Sequence, residues 1–367
     1  EDSVEFPDDC YQGQDIIDHV KKYIASDLED LTGKDSEYRK RKLVDYALPI
    51  NIMNIKSGLK RYGIEFDNWF SEQSLYDSGE VDETIELIKK NGYAIERDGA
   101  LWLKGEVMDS DKDEVLIKSD GFKTYFAADL AYHRNKFLKR NFTRAIDLLG
   151  TDHHAHAVRM KNAMPAMGIE RDKLDLVLFQ LVRLMRGGET VRMSKRTGKA
   201  VSLDDLLDET GVDAARFFFN MKVSGSHLDF DLDLAVKQSN ENPVFYVQYA
   251  HARICSMLRI LKEEGIDVDY DECPPLDVLV KEEEKELMRK LAAYPQEVLI
   301  SAKTLEPARL PRYVMEVAGA FHSFYNACRV KGVEEPLMNA RIALVNATVS
   351  VIRNVLDVLS INAPEKM

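Results

Sequence analysis

The sequence lacks a long apolar run, a signal-peptide pattern and closely spaced cysteines. Although 45% of its 367 residues are hydrophobic, no uninterrupted apolar stretch is long enough to cross a bilayer. The acidic start, residues 1–5, does not resemble a secretory leader. Cys10, Cys255, Cys273 and Cys328 lie far apart, without the spacing of zinc ligands or of a disulfide framework. We therefore expect a cytoplasmic protein of two or three domains, with free thiols and no membrane partner.

Positive charge is scarce overall but not locally. The formal net charge is −13, which taken alone disfavours a nucleic-acid partner. From Lys237 to the end there are 16 basic and 19 acidic residues, and residues 263–286 hold eleven of the acids but two of the bases. The rest of this segment therefore carries a charge of +6. Because charges act over about 8 Å at physiological salt, this segment remains compatible with RNA binding.

A glycine-bracketed basic loop is the most distinctive stretch of the chain. Residues 187–199 read GGETVRMSKRTGK, with three glycines around four cationic side chains. Glycine lets a backbone approach phosphate groups, and each cation offers charge-assisted donors to their oxygens. Ser202 and Asp205 then form a capping-box pattern at a helix start, which is a favoured place for anions. The loop is either a solvated basic turn or a phosphate-binding loop.

Strands and helices alternate before this loop. The pattern predicts a strand end at 123–126, a helix at 127–139, a strand at 144–149, a helix at 154–167 and a strand at 174–179. Units of this length predict a parallel sheet whose ligands lie at the carboxyl ends of its strands. Tyr125, Asp129, the Gly150 turn and the basic loop all fall at that edge.

The flanking segments have other patterns. Residues 39–60 are predicted to form a helix with a buried stripe from Leu43 to Asn54, and Pro49 would kink or split this helix. Residues 66–118 are predicted to form a small α+β insertion. The last third predicts a bundle of amphipathic helices at residues 243–264, 276–304, 309–330 and 336–360, with Pro295 and Pro311 as interruptions or helix starts. The predicted fold class is thus a partial Rossmann-like α/β domain with an α+β insertion, followed by an all-α bundle.

A histidine-rich turn follows the strand that ends at Gly150. Its residues 150–156 read GTDHHAH, which allows a metal site built from three histidines and Asp152. However, only His153 and His156 lie on the same helix face, and His154 points elsewhere. The other interpretation is a strand-to-helix turn that holds a ribose and a phosphate, with imidazoles as hydrogen-bond donors.

Together these motifs resemble the second half of a class I aminoacyl-tRNA synthetase. The basic loop is similar to the Lys-Met-Ser-Lys-Ser signature of that class, although Arg192 stands at its first lysine and Arg196-Thr197 follow Lys195. Further stretches resemble bacterial arginyl-tRNA synthetases: residues 228–235, 242–254, 306–310, 321–326 and 363–367. No His-Ile-Gly-His-type motif occurs in residues 1–120. The chain therefore resembles a C-terminal fragment, lacking the N-terminal add-on domain and half of the catalytic domain.

The resemblance implies roles for individual residues. Lys195 would be the catalytic lysine at the phosphates. Nucleotide binding would involve Gly150, Asp152, His156, Met193, Ser194 and Lys195, whereas arginine binding would involve Tyr125, Asp129 and His153. A helix surface acid is the alternative for Asp129, a helix N-cap for Asp152 and a structural histidine for His153. ATP with Mg²⁺ would be the cofactor, and we expect no tightly bound metal.

The resemblance also implies partners and domains. The C-terminal bundle would bind the anticodon of arginine tRNA through Tyr246, Tyr249 and Arg253, which share one helix face, and through Met367; core packing is the alternative for the tyrosines. We expect a monomer with the end of the catalytic domain at residues 1–235 and the anticodon-binding domain at 236–367. The predicted activity is arginine–tRNA ligation, with the fragment itself inactive. Two other classes stay open: a metal-dependent phosphoesterase using Asp152, His153 and His154, or an RNA-binding module without chemistry.

Overall fold

The computed structural model describes residues 13–26, 28–191, 201–266 and 274–367. The chain divides into two compact units. The first consists of residues 1–65, 182–223 and 228–367, and the second of residues 66–181 and 224–227. Most of the predicted basic loop, including Met193, Ser194 and Lys195, lies outside the described residues.

Two helices, α1 (Gln14–Ala25) and α2 (Ser36–Arg61), begin the described part of the first unit. The carboxylate of Asp35 caps α2 by accepting the backbone N–H groups of Glu37 and Tyr38. The 26-residue helix continues through Pro49 as one element, because its other hydrogen bonds outweigh the one that proline cannot make. The predicted stripe is wrong at its end, where Met53 and Asn54 are exposed, since little packs against this part of α2.

The second unit combines two small sheets with short helices. Its elements are α3 (Gln73–Asp77), α4 (Glu80–Lys90), β1 (Ala94–Arg97), β2 (Ala100–Leu103), β3 (Glu114–Ile117), α5 (Tyr125–Arg134), β4 (Ala145–Gly150), α6 (His154–Ala163) and β5 (Leu174–Phe179). Strands β1, β2 and β3 pair antiparallel in that order, whereas β4 and β5 form a parallel pair. The strand and helix predictions after residue 140 are confirmed, and β1 is a strand that the pattern did not predict.

The prediction of a strand end at Tyr125 is wrong. Tyr125 is the first residue of α5, and the Thr124 hydroxyl caps the helix by accepting the backbone N–H of Ala127. This N-cap decides the local structure, because it satisfies a donor that a helix start otherwise leaves unpaired. The α-helical part ends at Arg134, and a π-helical turn, Asn135–Lys139, follows directly.

The core of the second unit is continuous. Leu103 and Leu116 of the antiparallel sheet belong to the same buried cluster as Leu130 of α5, Met164 after α6 and Leu174 of β5. Apolar burial of this kind is the main contribution to its stability. The cluster fixes α5 and α6 against one face of the β4–β5 pair.

The next part of the first unit contains a third small sheet, in the order β7-β6-β8. Its elements are β6 (Val182–Arg186), β7 (Glu189–Thr190), α7 (Leu203–Thr210), α8 (Val212–Asn220), β8 (Leu228–Asp231) and α9 (Leu232–Ala235). Gly187 and Gly188 both have positive φ and form the turn of the β6–β7 hairpin, so their placement in the basic loop is wrong. The capping box predicted at Ser202 and Asp205 is confirmed at the start of α7.

A helical bundle completes the first unit. Its helices are α10 (Pro243–Glu263), α11 (Glu282–Ala292), α12 (Tyr294–Thr304), α13 (Arg309–Ala327) and α14 (Glu335–Val358). The amphipathic stretch predicted at residues 276–304 contains α11 and α12. The predicted interruption at Pro295 is confirmed, because this proline lies in the first turn of α12, where its missing N–H costs no hydrogen bond. Val314, Phe321 and Ile352 are fully buried in the bundle core. No helix in the described residues is both long and apolar enough to span a bilayer.

Candidate active site and RNA-binding face

The carboxyl ends of β4 and β5 meet at one edge of their sheet. In the parallel register Gly150 lies opposite Phe179, so both chains leave the sheet at the same level. The hydroxyl of Thr151 donates to Oε1 of Gln180 at 3.2 Å and joins the two segments that follow the strands. Ligands of α/β proteins bind at such an edge.

Tyr125 and Asp129 lie four residues apart on α5, which places them on one helix face. The Tyr125 side chain is exposed, and the Asp129 carboxylate is accessible to solvent. His156 of α6 approaches this carboxylate, with its Nε2 2.7 Å from Oδ2 of Asp129. The predicted substrate residue Asp129 therefore contacts His156, for which the family resemblance implied a nucleotide-binding role. This hydrogen bond fixes the orientation of the carboxylate.

A cluster of three polar residues, His133, Lys136 and Asp147, holds the backbone of Asp129 in place. Nδ1 of His133 donates to the backbone carbonyl oxygen of Asp129 at 2.8 Å, and its Nε2 lies 2.8 Å from Oδ2 of Asp147 on β4. Lys136 Nζ donates to the other oxygen of Asp147 at 3.0 Å. Burial alone would raise the pKa of Asp147, but the hydrogen bond from His133 and the charges of His133 and Lys136 lower it to about 2. The cluster joins α5 to the strand that ends in the Gly150 turn.

The turn after β4 is close-packed. A Cβ atom at Gly150 would lie 2.4 Å from Oδ1 of Asp152, which is the close approach that glycine permits. Asp152 lies in the 3-10 turn Thr151–His153, and no side chain caps the start of α6. Asp152 is therefore not the N-cap of α6, which was the alternative to a nucleotide-binding role. The imidazole of His153 lies 3.6 Å from the Asp152 carboxylate, and both are exposed. The turn thus presents polar groups at the sheet edge.

Metal ligation has no support in this turn. In the described ranges, no group of three His, Cys, Asp or Glu side chains could hold a metal ion. His156 faces Asp129 instead of sharing a site with His153 and His154. The geometry of this turn therefore does not support a metal-dependent phosphoesterase.

On the bundle, three of the four residues predicted to bind RNA, Tyr246, Tyr249 and Arg253, form one aromatic cluster with α13. The ring of His322 lies 5.0 Å from Tyr246 and 6.1 Å from Tyr249, in a stacked arrangement with the latter. The guanidinium of Arg253 lies 3.8 Å from the centre of the Tyr325 ring and 5.8 Å from that of Tyr249. Burial, together with the charge of Arg253, lowers the pKa of His322. Tyr246 is half-buried, so packing accounts for part of its role, whereas Tyr249 remains accessible.

A cleft of about 460 Å³ lies beside this cluster. Its lining includes Arg253, Tyr325, Arg329 and Lys331, so three cations and an aromatic ring border one cavity. Cys328 lies buried in its wall. Arginine and aromatic groups around an open cleft are suited to unpaired bases and phosphates.

The C-terminal tail, residues 359–367, is hydrogen-bonded to side chains of α10. Nδ1 of His251 donates to the Pro364 carbonyl oxygen at 2.8 Å, and Nε2 of the Gln248 amide donates to that of Asn362 at 2.8 Å. Asp213 of α8 accepts the backbone N–H of Asn362 at 3.1 Å. These bonds hold the tail, while Met367 at its end stays exposed.

The residues that support the site were not among the predicted site residues. His133, Lys136 and Asp147 form the buried cluster, and Gln180 joins the two turns. One signal was available: Asp147 interrupts an otherwise apolar strand, and such an acid needs a partner. Neither Lys136 nor Gln180 carries a local pattern that separates it from a surface residue.

Family comparisons agree with this arrangement. Residues 11–227 match the family described as tRNA synthetases class I (R), catalytic domain. Residues 247–367 match the DALR anticodon binding domain. The chain belongs to the class I arginyl-tRNA synthetase family. The predicted fold class, a class I α/β domain followed by a helical anticodon-binding domain, is confirmed.

Similar arginyl-tRNA synthetase family members include the arginine–tRNA ligases of Acetivibrio thermocellus and Ruminiclostridium cellulolyticum. Each is 64% identical over 367 residues, which are 100% of this chain and 65% of the relative. An arginyl-tRNA synthetase structure from Campylobacter jejuni is similar with a TM-score of 0.85 and 30% identity, covering 100% of this chain and 78% of that one. The Thermus thermophilus arginyl-tRNA synthetase shares the fold, with a TM-score of 0.78, 19% identity and coverage of 96% and 73%.

Proposed function

We propose that this chain is part of an arginine–tRNA ligase, which activates arginine with ATP and transfers it to the terminal adenosine of arginine tRNA. The chain spans 65% of the length of its curated relatives, so the activity belongs to the longer protein. Family membership supports the reaction class, and the Asp129 carboxylate supports the substrate. ATP with Mg²⁺ is the cofactor that this reaction needs.

The carboxylate of Asp129 is the observation that carries the arginine assignment. A guanidinium is bound best by a planar carboxylate that accepts two parallel hydrogen bonds. His156 donates to Oδ2 and holds the carboxylate plane, and Tyr125 lies on the same helix face. His153 is placed on the adjacent turn, where we propose that it contacts the substrate.

The turn at Gly150 and Asp152 is our proposed nucleotide side of the site. Gly150 lets the backbone approach the ribose and phosphates, and Asp152 presents an exposed carboxylate there. We propose His156 as a positioning residue for Asp129, which replaces the nucleotide contact expected from the sequence. Lys195, with Met193 and Ser194, remains our proposal for the phosphate contact, because positioned cations stabilise the charge that develops during adenylate formation.

The aromatic face of α10 is our proposed tRNA contact. Tyr249 offers a partly open ring, Arg253 a charged plane, and the neighbouring cleft adds Arg329 and Lys331. Met367 lies at the exposed end of the tail that is bonded to α10. The division at residue 235, the monomeric state and a cytoplasmic location stay predictions.

The test of the substrate assignment is Asp129→Asn in the full-length protein that contains this chain. An amide keeps the shape but removes the charge and one acceptor, and a hydrogen bond to a charged group contributes about 1.5–3 kcal/mol. The kcat/KM for arginine should therefore fall about 10- to 100-fold in ATP–pyrophosphate exchange with tRNA present.

The matched control is Asp109→Asn, because Asp109 is an exposed carboxylate of the same unit that pairs with Arg171 and lies outside the proposed site. Its kinetics should match those of the unaltered protein. Equal arginine kinetics for Asp129→Asn would show that this acid is structural and would remove the support for arginine as the substrate.

A further inference from the structure

The C-terminal tail begins at a turn whose backbone conformation is fixed. The backbone N–H of Ser360 donates to the Asp357 carbonyl oxygen and that of Ile361 to the Leu356 carbonyl oxygen, both at 2.9 Å. Ser360 has a positive φ of 53°, the left-handed conformation that commonly ends a helix. Ile361 is buried in the same core as Leu356. The turn therefore sets the direction in which the tail leaves α14.

Arg216 of α8 joins this turn to the end of α2. Its Nε donates to the Leu359 carbonyl oxygen, and its Nη1 donates to that of Tyr62 at 2.8 Å. The guanidinium also lies 5.1 Å from the centre of the Tyr62 ring. Leu359 and Tyr62 cap the C-terminal ends of α14 and α2, where carbonyl groups lack partners within their own helix. One arginine thus fixes two helix ends against α8.

Asp213, one turn earlier on α8, holds the next part of the tail. Its Oδ1 accepts the backbone N–H of Asn362 at 3.1 Å, and its Oδ2 accepts the side-chain amide of Gln248 at 2.8 Å. The same amide nitrogen of Gln248 donates to the Asn362 carbonyl oxygen at 2.8 Å. Three segments, α8, α10 and the tail, therefore meet in one closed set of hydrogen bonds, which we call the tail anchor: Asp213, Gln248 and Asn362.

The tail anchor lies beside the proposed tRNA face, because Gln248 directly precedes Tyr249 on α10. Beyond Asn362 the tail follows α10, where His251 donates to the Pro364 carbonyl oxygen. Met367 at its end is exposed. The residues after Asn362 extend over at most about 18 Å, so the anchor limits where Met367 can lie.

We propose that Asp213 is a positioning residue for tRNA binding, which through the tail anchor holds residues 365–367 beside the aromatic face of α10. Its carboxylate accepts hydrogen bonds from Asn362 and Gln248 at once, whereas alanine would leave both donors unpaired. The proposal rests on the tRNA contact proposed above. It assigns a role in tRNA affinity to α8, which lies within the part of the chain that matches the catalytic domain.

The experiment is a double-variant cycle in which this chain is titrated with arginine tRNA. It compares the unaltered chain, Asp213→Ala, a chain that ends at Pro364, and that shortened chain with Asp213→Ala. Asp213→Ala and the shortening should each weaken tRNA binding about fivefold or more, because members of one hydrogen-bond network are energetically coupled. In the shortened chain Asp213→Ala should have no further effect, since the segment that it positions is absent.

The matched control is Asp208→Ala, because Asp208 is an exposed carboxylate of the preceding helix, α7, that pairs with Arg61. This variant should bind tRNA normally. Asp213→Asn still accepts the backbone N–H of Asn362, so it should bind tRNA better than Asp213→Ala, and it replaces the alanine variant in the cycle if circular dichroism shows that alanine prevents folding. Without RNA, the tail amides should exchange hydrogen faster in Asp213→Ala than in Asp208→Ala.

An equal effect of Asp213→Ala in the whole and the shortened chain would show that Asp213 does not act through the tail, and would overturn the proposal. Unchanged tRNA affinity for Asp213→Ala, with a loss on shortening, would also overturn it but leave the proposed tRNA contact in place. If Tyr249→Ala and the shortening both leave tRNA affinity unchanged, the proposed tRNA contact fails, and the role of Asp213 fails with it.

Discussion

At the scale of single residues, the site depends on how one carboxylate is held. Asp129 receives a hydrogen bond from His156 of α6, while His133 contacts its backbone carbonyl oxygen and connects it to Asp147. The side chains of His133 and Asp147 are largely shielded from solvent, so the hydrogen bond between them acts in a low dielectric, and losing one partner leaves the other unsatisfied. The position of Asp129, our proposed arginine-binding residue, is therefore tied to the stability of α5 on β4.

Asp147 makes this stability dependent on pH. Its folded-state pKa of about 2 lies below the unfolded value of about 3.9, so the carboxylate stabilises the fold above the unfolded value. This contribution, about 2 kcal/mol, disappears as the pH falls through the folded-state pKa. We expect the free energy of unfolding of the unaltered chain to exceed that of Asp147→Asn at pH 6 and to approach it between pH 4 and pH 2. Urea unfolding at several pH values measures this difference, and a gap that stays constant over that range would contradict the assigned pKa.

At the scale of elements, a buried ion pair connects two bundle helices. Nε of Arg341 on α14 donates to Oε1 of Glu284 on α11 at 2.7 Å, and both side chains are almost fully buried. Glu284 also accepts the backbone N–H of Lys281, and Arg341 donates to the Arg329 carbonyl oxygen. The pair thus fixes the start of α11 and the segment that borders the cationic cleft.

We expect Glu284→Ala to destabilise the bundle by about 3–5 kcal/mol, because it leaves a guanidinium buried without its partner. The double variant Glu284→Leu, Arg341→Met should lose less, since neither charge remains. Glu282→Ala on the exposed face of α11 is the control and should leave the thermal midpoint unchanged. If the double variant is less stable than Glu284→Ala, the buried charge is not the cause.

The aromatic face of α10 leads to a prediction about tRNA. Tyr249→Ala should weaken binding of arginine tRNA by about 1–3 kcal/mol if a base stacks on the ring. Leu299→Ala, at an exposed position on α12, is the control and should bind normally. Titration at several salt concentrations measures the affinity, which should fall steeply as salt rises because phosphates are neutralised.

An arginine tRNA with an altered anticodon separates specific from general binding. It should bind the unaltered chain more weakly than the cognate tRNA, and Tyr249→Ala should reduce that difference. Equal affinity for both tRNAs would leave a basic surface without anticodon recognition.

At the scale of the whole molecule, the chain spans 65% of the length of its curated relatives. We predict that the chain alone is inactive, because no His-Ile-Gly-His-type motif occurs in residues 1–120. Loss of one positioned transition-state donor costs about 10²–10³ in rate. Arginine-dependent ATP–pyrophosphate exchange by this chain with tRNA should therefore be at least about 100-fold slower than that of the Acetivibrio thermocellus relative. Equal rates would show that the chain carries a complete active site.

The sequence by itself determined the family, the parallel strands β4 and β5, and most bundle helices. These features depend on local patterns: motifs, apolar periodicity and caps such as Ser202 with Asp205. The DALR match and the class I match confirm the two-part fold that those patterns predicted. The sequence correctly placed a break at Pro295, which begins α12, but it did not show that α2 continues through Pro49 as one helix.

Only the tertiary structure decided which polar residues meet. His156 lies 27 residues from Asp129 in the chain, and Glu284 lies 57 residues from Arg341, yet each pair is in contact. No periodicity encodes such contacts, because the packing of whole helices and strands sets the distance between the side chains that they carry. The same packing leaves Leu148 uncovered, although its apolar strand alone predicts burial on both faces.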